Sequence, residues 1–177
     1  YGMHLKIAGY QKHSSVNGPG IRFVLFVQGC PHHCPGCQNP ETHDRDGGQE
    51  VDTDEILQVI ADTRYLDGVT LSGGDPFLQA EAMALVARGV HELGMSVWAY
   101  TGWTYEQILD GQAGEEGISL LKNVDVLVDG RYIESRRSAD VIWRGSSNQR
   151  LIDVASSLKE GRVIPQDTAA EREQIAL

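Results

Sequence analysis

Ile21-Arg22-Phe23-Val24-Leu25-Phe26-Val27-Gln28-Gly29-Cys30-Pro31-His32-His33-Cys34-Pro35-Gly36-Cys37 is the stretch on which the reading of this chain turns. Its first part, Ile21 to Val27, is a nearly continuous apolar run of β-branched and aromatic side chains, the pattern of a strand buried on both faces. Its second part holds every cysteine of the chain, spaced C-x3-C-x2-C. Three soft thiolates this close can converge on one metal centre, and thiolate-rich sites favour iron–sulfur clusters or zinc. An iron–sulfur cube held by three cysteines keeps one iron free for an outside ligand. The alternative is structural zinc with His32, His33 or His43 as the fourth ligand, although such sites usually take two ligand pairs separated by a longer insert.

Outward from this stretch the chain alternates. Upstream, 5–10 reads as a short leading strand and 15–20 is dense in turn formers. Downstream, the cysteine loop runs on to Gly47-Gly48, and Asp52 is placed to cap a helix carrying Ile56, Val59, Ile60 and Thr63 on one face. A strand is expected at 68–72, running into Gly73-Gly74-Asp75-Pro76, then a helix at 78–93 stopped by Gly94. A third strand at 95–100 leads to Thr101-Gly102, and Thr104 is placed to cap a short helix to Asp110. The segment 112–117 reads as a surface loop, 118–122 as a helical turn, and 124–128 as a strand ending at Asp129-Gly130-Arg131. A last strand is expected at 150–154 and a helical turn at 157–160.

Strand–helix alternation of this kind builds right-handed βαβ units and a parallel sheet. Four or five units fall short of a closed eight-stranded barrel, so the expected fold class is α/β, a partial, open βα barrel of parallel strands. One domain over 1–160 is expected, with 161–177 a polar tail. The cysteine loop, Gly73-Gly74-Asp75-Pro76, Thr101-Gly102 and Asp129-Gly130-Arg131 each follow a predicted strand. In parallel α/β folds that edge carries the site.

The chain has 177 residues, a formal charge of −10 and 41% hydrophobic residues. The acidic balance argues against a nonspecific nucleic-acid or anionic-membrane binder, which need a basic face. No apolar run approaches the length of a membrane span, and 1–6 lacks the apolar core of a signal peptide. Three clustered cysteines make a poor disulfide framework, so a reducing, cytoplasmic compartment is expected.

The cysteine spacing after a first strand, followed by Gly-Gly-Asp-Pro after a second, resembles the radical S-adenosylmethionine superfamily. Within it, several blocks resemble the activating enzymes of anaerobic (class III) ribonucleotide reductase. They are Val16-Asn17-Gly18-Pro19-Gly20, Gly29 to Asn39, Leu71-Ser72-Gly73-Gly74-Asp75-Pro76, Tyr100-Thr101-Gly102, Val128-Asp129-Gly130-Arg131-Tyr132 and Trp143-Arg144-Gly145-Ser146-Ser147-Asn148-Gln149-Arg150. Gln38-Asn39 departs from the pattern, since many relatives carry an aromatic before the Asn.

The resemblance implies that Cys30, Cys34 and Cys37 hold three irons of one 4Fe-4S cluster and that S-adenosylmethionine occupies the fourth. Reductive cleavage of S-adenosylmethionine then generates a glycyl radical on the partner reductase. It further implies cofactor contacts from Gly36, Cys37, Gln38, Gly73, Gly74, Asp75, Thr101, Asp129, Arg131 and Asn148, with Asn17, Arg144 and Arg150 near the substrate loop. Asp129 and Arg131 read equally well as ordinary surface charges, and Arg144 as a solvent residue. A flavodoxin or ferredoxin is the implied electron donor. Activation of another glycyl-radical enzyme, of the formate-lyase type, is the competing activity, and a non-enzymatic zinc or iron–sulfur module the competing class. A chain this short has few βα units to enclose a radical, so the partner protein is expected to complete the wall.

Overall fold

The computed structural model describes residues 2–15, 18–29, 48–131 and 148–166. They form one seven-stranded sheet in the order β3-β1-β2-β4-β5-β6-β7. The strands are β1 (His4–Ser14), β2 (Arg22–Val27), β3 (Gln49–Asp52), β4 (Gly68–Gly73), β5 (Ser96–Tyr100), β6 (Val126–Asp129) and β7 (Arg150–Asp153). The helices are α1 (Thr53–Asp62), α2 (Ala80–Glu92), α3 (Tyr105–Leu109), α4 (Gly114–Leu121) and α5 (Val154–Glu160), with a 3₁₀ turn at Pro76–Gln79. The sheet is open, with β3 and β7 at its ends. Among the described residues no helix is long and apolar enough to cross a membrane.

The four central strands β2, β4, β5 and β6 are parallel, as the alternation predicts. The flanks are not: β1 runs antiparallel to both β2 and β3, and β7 antiparallel to β6. The reason at β1 is chain length. Only the short segment between Ser14 and Arg22 links β1 to β2, and a parallel crossover needs a dozen residues or more.

Alternating side chains sort the sheet into two faces. Phe23, Leu25, Val27, Val69, Leu71, Val97, Ala99, Leu127 and Ile152 pack with Ile56 and Ile60 of α1, Met83, Val86 and Val90 of α2, Ile108 of α3, and Leu120 and Leu121 of α4. That is the main core. On the opposite face Trp98, Val126, Val128 and Leu151 form a smaller cluster with Tyr100 against it. Arg22 belongs to this second face and is 1% exposed. Its guanidinium donates to Thr70 Oγ1 (2.9 Å), Val69 O (2.9 Å), Ser96 Oγ (3.1 Å) and Ser96 O (3.1 Å), and lies 5.6 Å from the centroid of the Trp98 ring. One cation therefore ties β2, β4 and β5 together, and burial pushes its pKa down to about 10.

Local signals place most of the helices. The Asp52 side chain accepts from Asp54 N at the start of α1. Thr104 and Gln107 form a reciprocal capping box on α3. Gly94, at φ 81°, ends the turn after α2. One expectation is corrected. The segment 112–117, expected as a loop, contains the first half of α4, which begins at Gly114 without any side-chain cap. The polar quartet Gln49–Asp52 is an edge strand, with pairing to β1 supplied by its backbone. Residues 161–166, assigned to the tail from sequence, dock on β7: Gln166 N donates to Leu151 O, and Asp153 N to Ile164 O, both at 2.9 Å. Positions 167–177 lie outside the described residues.

Candidate functional site

The C-terminal ends of the parallel strands converge through hydrogen bonds that link their loops in series. At the end of β4, Gly73 has φ 95°, and a Cβ there would sit 2.4 Å from Val27 N. The absence of a side chain lets the β4 loop close against β2. Gly74 N then donates to Val27 O (2.8 Å) and Asp75 N to Gly29 O (2.9 Å). The first loop in this series is thus held at Gly29, the residue before Cys30.

Asp75 makes the next link. It is 1% exposed, while Gly73 and Gly74 are half-buried at the rim. Its Oδ1 accepts from Phe77 N (3.0 Å), which opens the 3₁₀ turn. Thr101 Oγ1 lies 2.9 Å from both carboxylate oxygens, and Gly102 N donates to Oδ2 at 2.9 Å. A buried carboxylate holding several neutral donors draws the β4 and β5 loops together. Thr101, 5% exposed, passes the connection on: its N donates to Val128 O (3.0 Å).

The last link lies at β6. Asp129 is 1% exposed and accepts from Tyr105 N at 2.8 Å, fixing the start of α3. Arg150 donates Nε to Asp129 Oδ1 (3.0 Å) and Nη2 to Asp129 Oδ2. The same guanidinium reaches Glu106 Oε1 through Nη1 (3.0 Å) and Oε2 through Nη2 (2.7 Å). Arg150 is thereby held between two carboxylates. Its bonds to Asp129, and then to Glu106, raise its pKa, and in return it holds Glu106 below the ordinary carboxylate range. Alongside, Asn148 Nδ2 donates to Arg131 O (2.9 Å) and Gln149 Nε2 to Gly130 O (3.0 Å). Residues 148–150 therefore fold back over 129–131.

Of the residues singled out from sequence, the structure brings Gly73, Gly74, Asp75, Thr101, Asp129, Arg131, Asn148 and Arg150 to one rim. They do not all face outward: Asp75, Thr101 and Asp129 are buried ties, whereas Arg131 is exposed. Cys30, Cys34, Cys37, Gly36, Gln38, Asn17 and Arg144 lie outside the described residues. One contributor carries no motif in the sequence: Glu106, which holds Arg150. Glu106 had one available signal, its place in the first turn of the helix that Thr104 caps.

Comparison with known proteins bears on the family of the chain. The model of the 4Fe-4S single cluster domain family matches residues 16–152. The anaerobic ribonucleoside-triphosphate reductase-activating protein of Salmonella typhi is 39% identical over 142 residues, covering 76% of this chain and 89% of that protein. The protein of the same name from Escherichia coli K12 is 38% identical over 142 residues, with the same coverage. That from Enterobacteria phage T4 is 38% identical over 145 residues, covering 77% of this chain and 86% of its own. Among solved structures, QueE from Escherichia coli resembles the chain with a TM-score of 0.46 and 18% identity, over 58% of this chain and 54% of that one. By the span of the family model and the identity and coverage of these relatives, the chain belongs to the anaerobic ribonucleoside-triphosphate reductase-activating proteins, an iron–sulfur family of the 4Fe-4S single cluster type.

Proposed function

We propose that this protein is a radical S-adenosylmethionine activase that installs a glycyl radical on anaerobic ribonucleotide reductase. Cys30, Cys34 and Cys37 would hold three irons of a 4Fe-4S cluster, leaving the fourth open to S-adenosylmethionine, whose reductive cleavage would supply the radical. For each S-adenosylmethionine cleaved, one electron from a flavodoxin- or ferredoxin-type donor and one hydrogen atom from a glycine of the reductase are consumed, leaving methionine, 5′-deoxyadenosine and the glycyl radical.

The observation that carries this reading is the serial tie of the strand-end loops, from Gly29 through Asp75 and Thr101 to Asp129. It presents the half-buried backbone of Gly73 and Gly74 at the rim, beside the foot of the cysteine segment. The donor set fits the group: three thiolates suit iron, and a glycine pair suits close backbone approach to a small polar ligand. Gly73 and Gly74 meet the methionyl amino group, and Asp75 complements its charge from the layer beneath. Arg131 and Asn148 contact the polar groups of the cofactor, Thr101 and Asp129 hold their loops, and Gly36, Cys37 and Gln38 line the adenosine side. Asn17, Arg144 and Arg150 approach the incoming glycine loop. The names of the relatives favour the anaerobic reductase as target over a formate-lyase type partner. The open sheet supports a role for that partner in closing the site, and the setting is cytoplasmic.

The test is anaerobic incubation of the reconstituted, reduced protein with S-adenosylmethionine and the reductase. A doublet glycyl-radical resonance and stoichiometric 5′-deoxyadenosine are expected, and neither should appear with Cys34→Ser. The absence of both with the wild-type protein refutes the proposal. A glycyl radical formed on a formate-lyase type partner but not on the reductase reassigns the target.

A further inference from the structure

Gln79 occupies the N-cap position of α2, yet its side chain makes no cap hydrogen bond. It turns instead toward the sheet. Its Oε1 accepts from Lys6 N (2.8 Å), and its Nε2 donates to Lys6 O (2.8 Å) and Gln28 O (3.1 Å). One primary amide thus engages three backbone groups on two adjacent chain segments. A side chain with a donor and an acceptor on one planar head is needed to answer both the N–H and the C=O of Lys6. Gln28 N also donates to Lys6 O, at 3.1 Å.

These bonds converge where the cysteine-bearing segment begins, because Gln28 precedes Cys30 by two residues. The segment also returns to this spot. Gly48 has φ 81°, and a Cβ there would sit 2.6 Å from Ile7 O and 2.9 Å from the Gln28 Cβ. Ile7 pairs with Val27 on one side and with Gln49 on the other. The two feet of the segment, Gln28 and Gly48, therefore close against one another beside Ile7 of β1. Gln79 is bonded to both β1 and the departing foot.

We propose that Gln79 is a positioning residue for the metal-binding segment, setting through its amide the point from which Cys30, Cys34 and Cys37 are presented. This rests on the assignment of those cysteines as cluster ligands. Groups that orient metal ligands from behind typically matter by 10–100-fold in metal affinity. Gln79→Leu removes all three bonds. Gln79→Glu keeps the shape but loses both donors and sets a carboxylate against two carbonyl oxygens.

The test uses the reconstituted full-length protein under anaerobic conditions. Both Gln79 variants should lose iron to a chelator about tenfold faster than wild type, and hydrogen exchange at the Lys6 amide should accelerate. Val86→Ala, a cavity variant in α2, serves as a control for general destabilisation at a matched loss of Tm, and should keep the wild-type rate of iron loss. Cys34→Ser is measured alongside. If it loses iron and sulfide while the Gln79 variants release iron no faster than Val86→Ala, the inference is overturned and the ligand assignment stands. If Cys34→Ser retains its full iron and sulfide, the ligand assignment falls and the inference with it.

Discussion

Replacing Gly73 with alanine separates backbone strain from close approach. Gly73 and Gly94 have similar positive φ values, 95° and 81°. Their surroundings differ: a Cβ at Gly94 meets nothing within 4 Å, whereas one at Gly73 sits 2.4 Å from Val27 N, 2.6 Å from Val27 O and 2.7 Å from Phe26 C. Those atoms are backbone at the C-terminal end of the β2–β4 parallel pair and cannot rotate away. Reaching ordinary contact needs a retreat of about 1 Å. The strain of an L-residue at such φ costs roughly 1–2 kcal/mol at either site, and forced overpacking adds about 1–3 kcal/mol at Gly73 only. Gly94→Ala should therefore cost about 1 kcal/mol and Gly73→Ala about 3–4 kcal/mol. At roughly 2–4 °C per kcal/mol for a chain of this size, the two Tm values should stand about 5–10 °C apart. Thermal unfolding followed by circular dichroism measures this. Equal losses at the two positions would refute the claim that β4 closes against β2 through the missing side chain.

Three further outcomes follow from the ties at the rim. Asp75→Ala strands Phe77 N, Thr101 Oγ1 and Gly102 N, and should cost about 3 kcal/mol against about 1 kcal/mol for Thr101→Val. The double mutant should fall short of their sum in denaturant unfolding, and strict additivity would deny the coupling. Arg22→Lys keeps the charge but cannot span the oxygens on β4 and β5, so a loss of about 2 kcal/mol or more is expected in the same assay. Glu106 is held below its ordinary value of 4.5 by Arg150, so its contribution is present at neutral pH and is lost as pH falls through its folded-state value. The stability gap between wild type and Glu106→Gln should accordingly be largest at neutral pH and shrink as pH falls below 4.5, staying within about 1 kcal/mol because the pair is exposed.

The sequence makes legible what is written locally. The apolar run of β2, the capping box at Thr104 and the glycine after α2 each carry their own signal, and each appears where expected. What escapes is whatever depends on a distant partner. The strand Gln49–Asp52 has no apolar alternation because it lies at a sheet edge, and its structure comes from β1 backbone pairing. The onset of α4 is hidden because no polar side chain caps it and Gly114 and Gly117 mimic a loop. Arg22, inside an otherwise apolar strand, gives no local hint that Thr70 and Ser96 await it. Gln79 is the same case: its partners Lys6 and Gln28 are far away in sequence.

At the candidate site the described motifs fall at the ends of the parallel strands, and the charges in them are informative about position more than about contact. Asp75 and Asp129 are each 1% exposed and spend their oxygens on backbone amides, a hydroxyl and a guanidinium of the chain itself. A buried carboxylate is costly unless hydrogen-bonded, so these bonds fix the loop geometry strongly. The glycines, which carry no charge, are the members of Gly73-Gly74-Asp75 left nearer the surface. The division of labour follows from size: a residue without a side chain lets backbone meet a ligand or a neighbouring strand, and the acid behind it keeps that backbone in place. Replacing Asp75 should therefore disturb ligand binding through the loop it braces, so that Asp75→Asn, which keeps one acceptor oxygen, retains more of the site than Asp75→Ala. A direct ion pair as the sole role of Asp75 would instead make the two variants equally poor in S-adenosylmethionine binding, measured by calorimetry on the reconstituted protein.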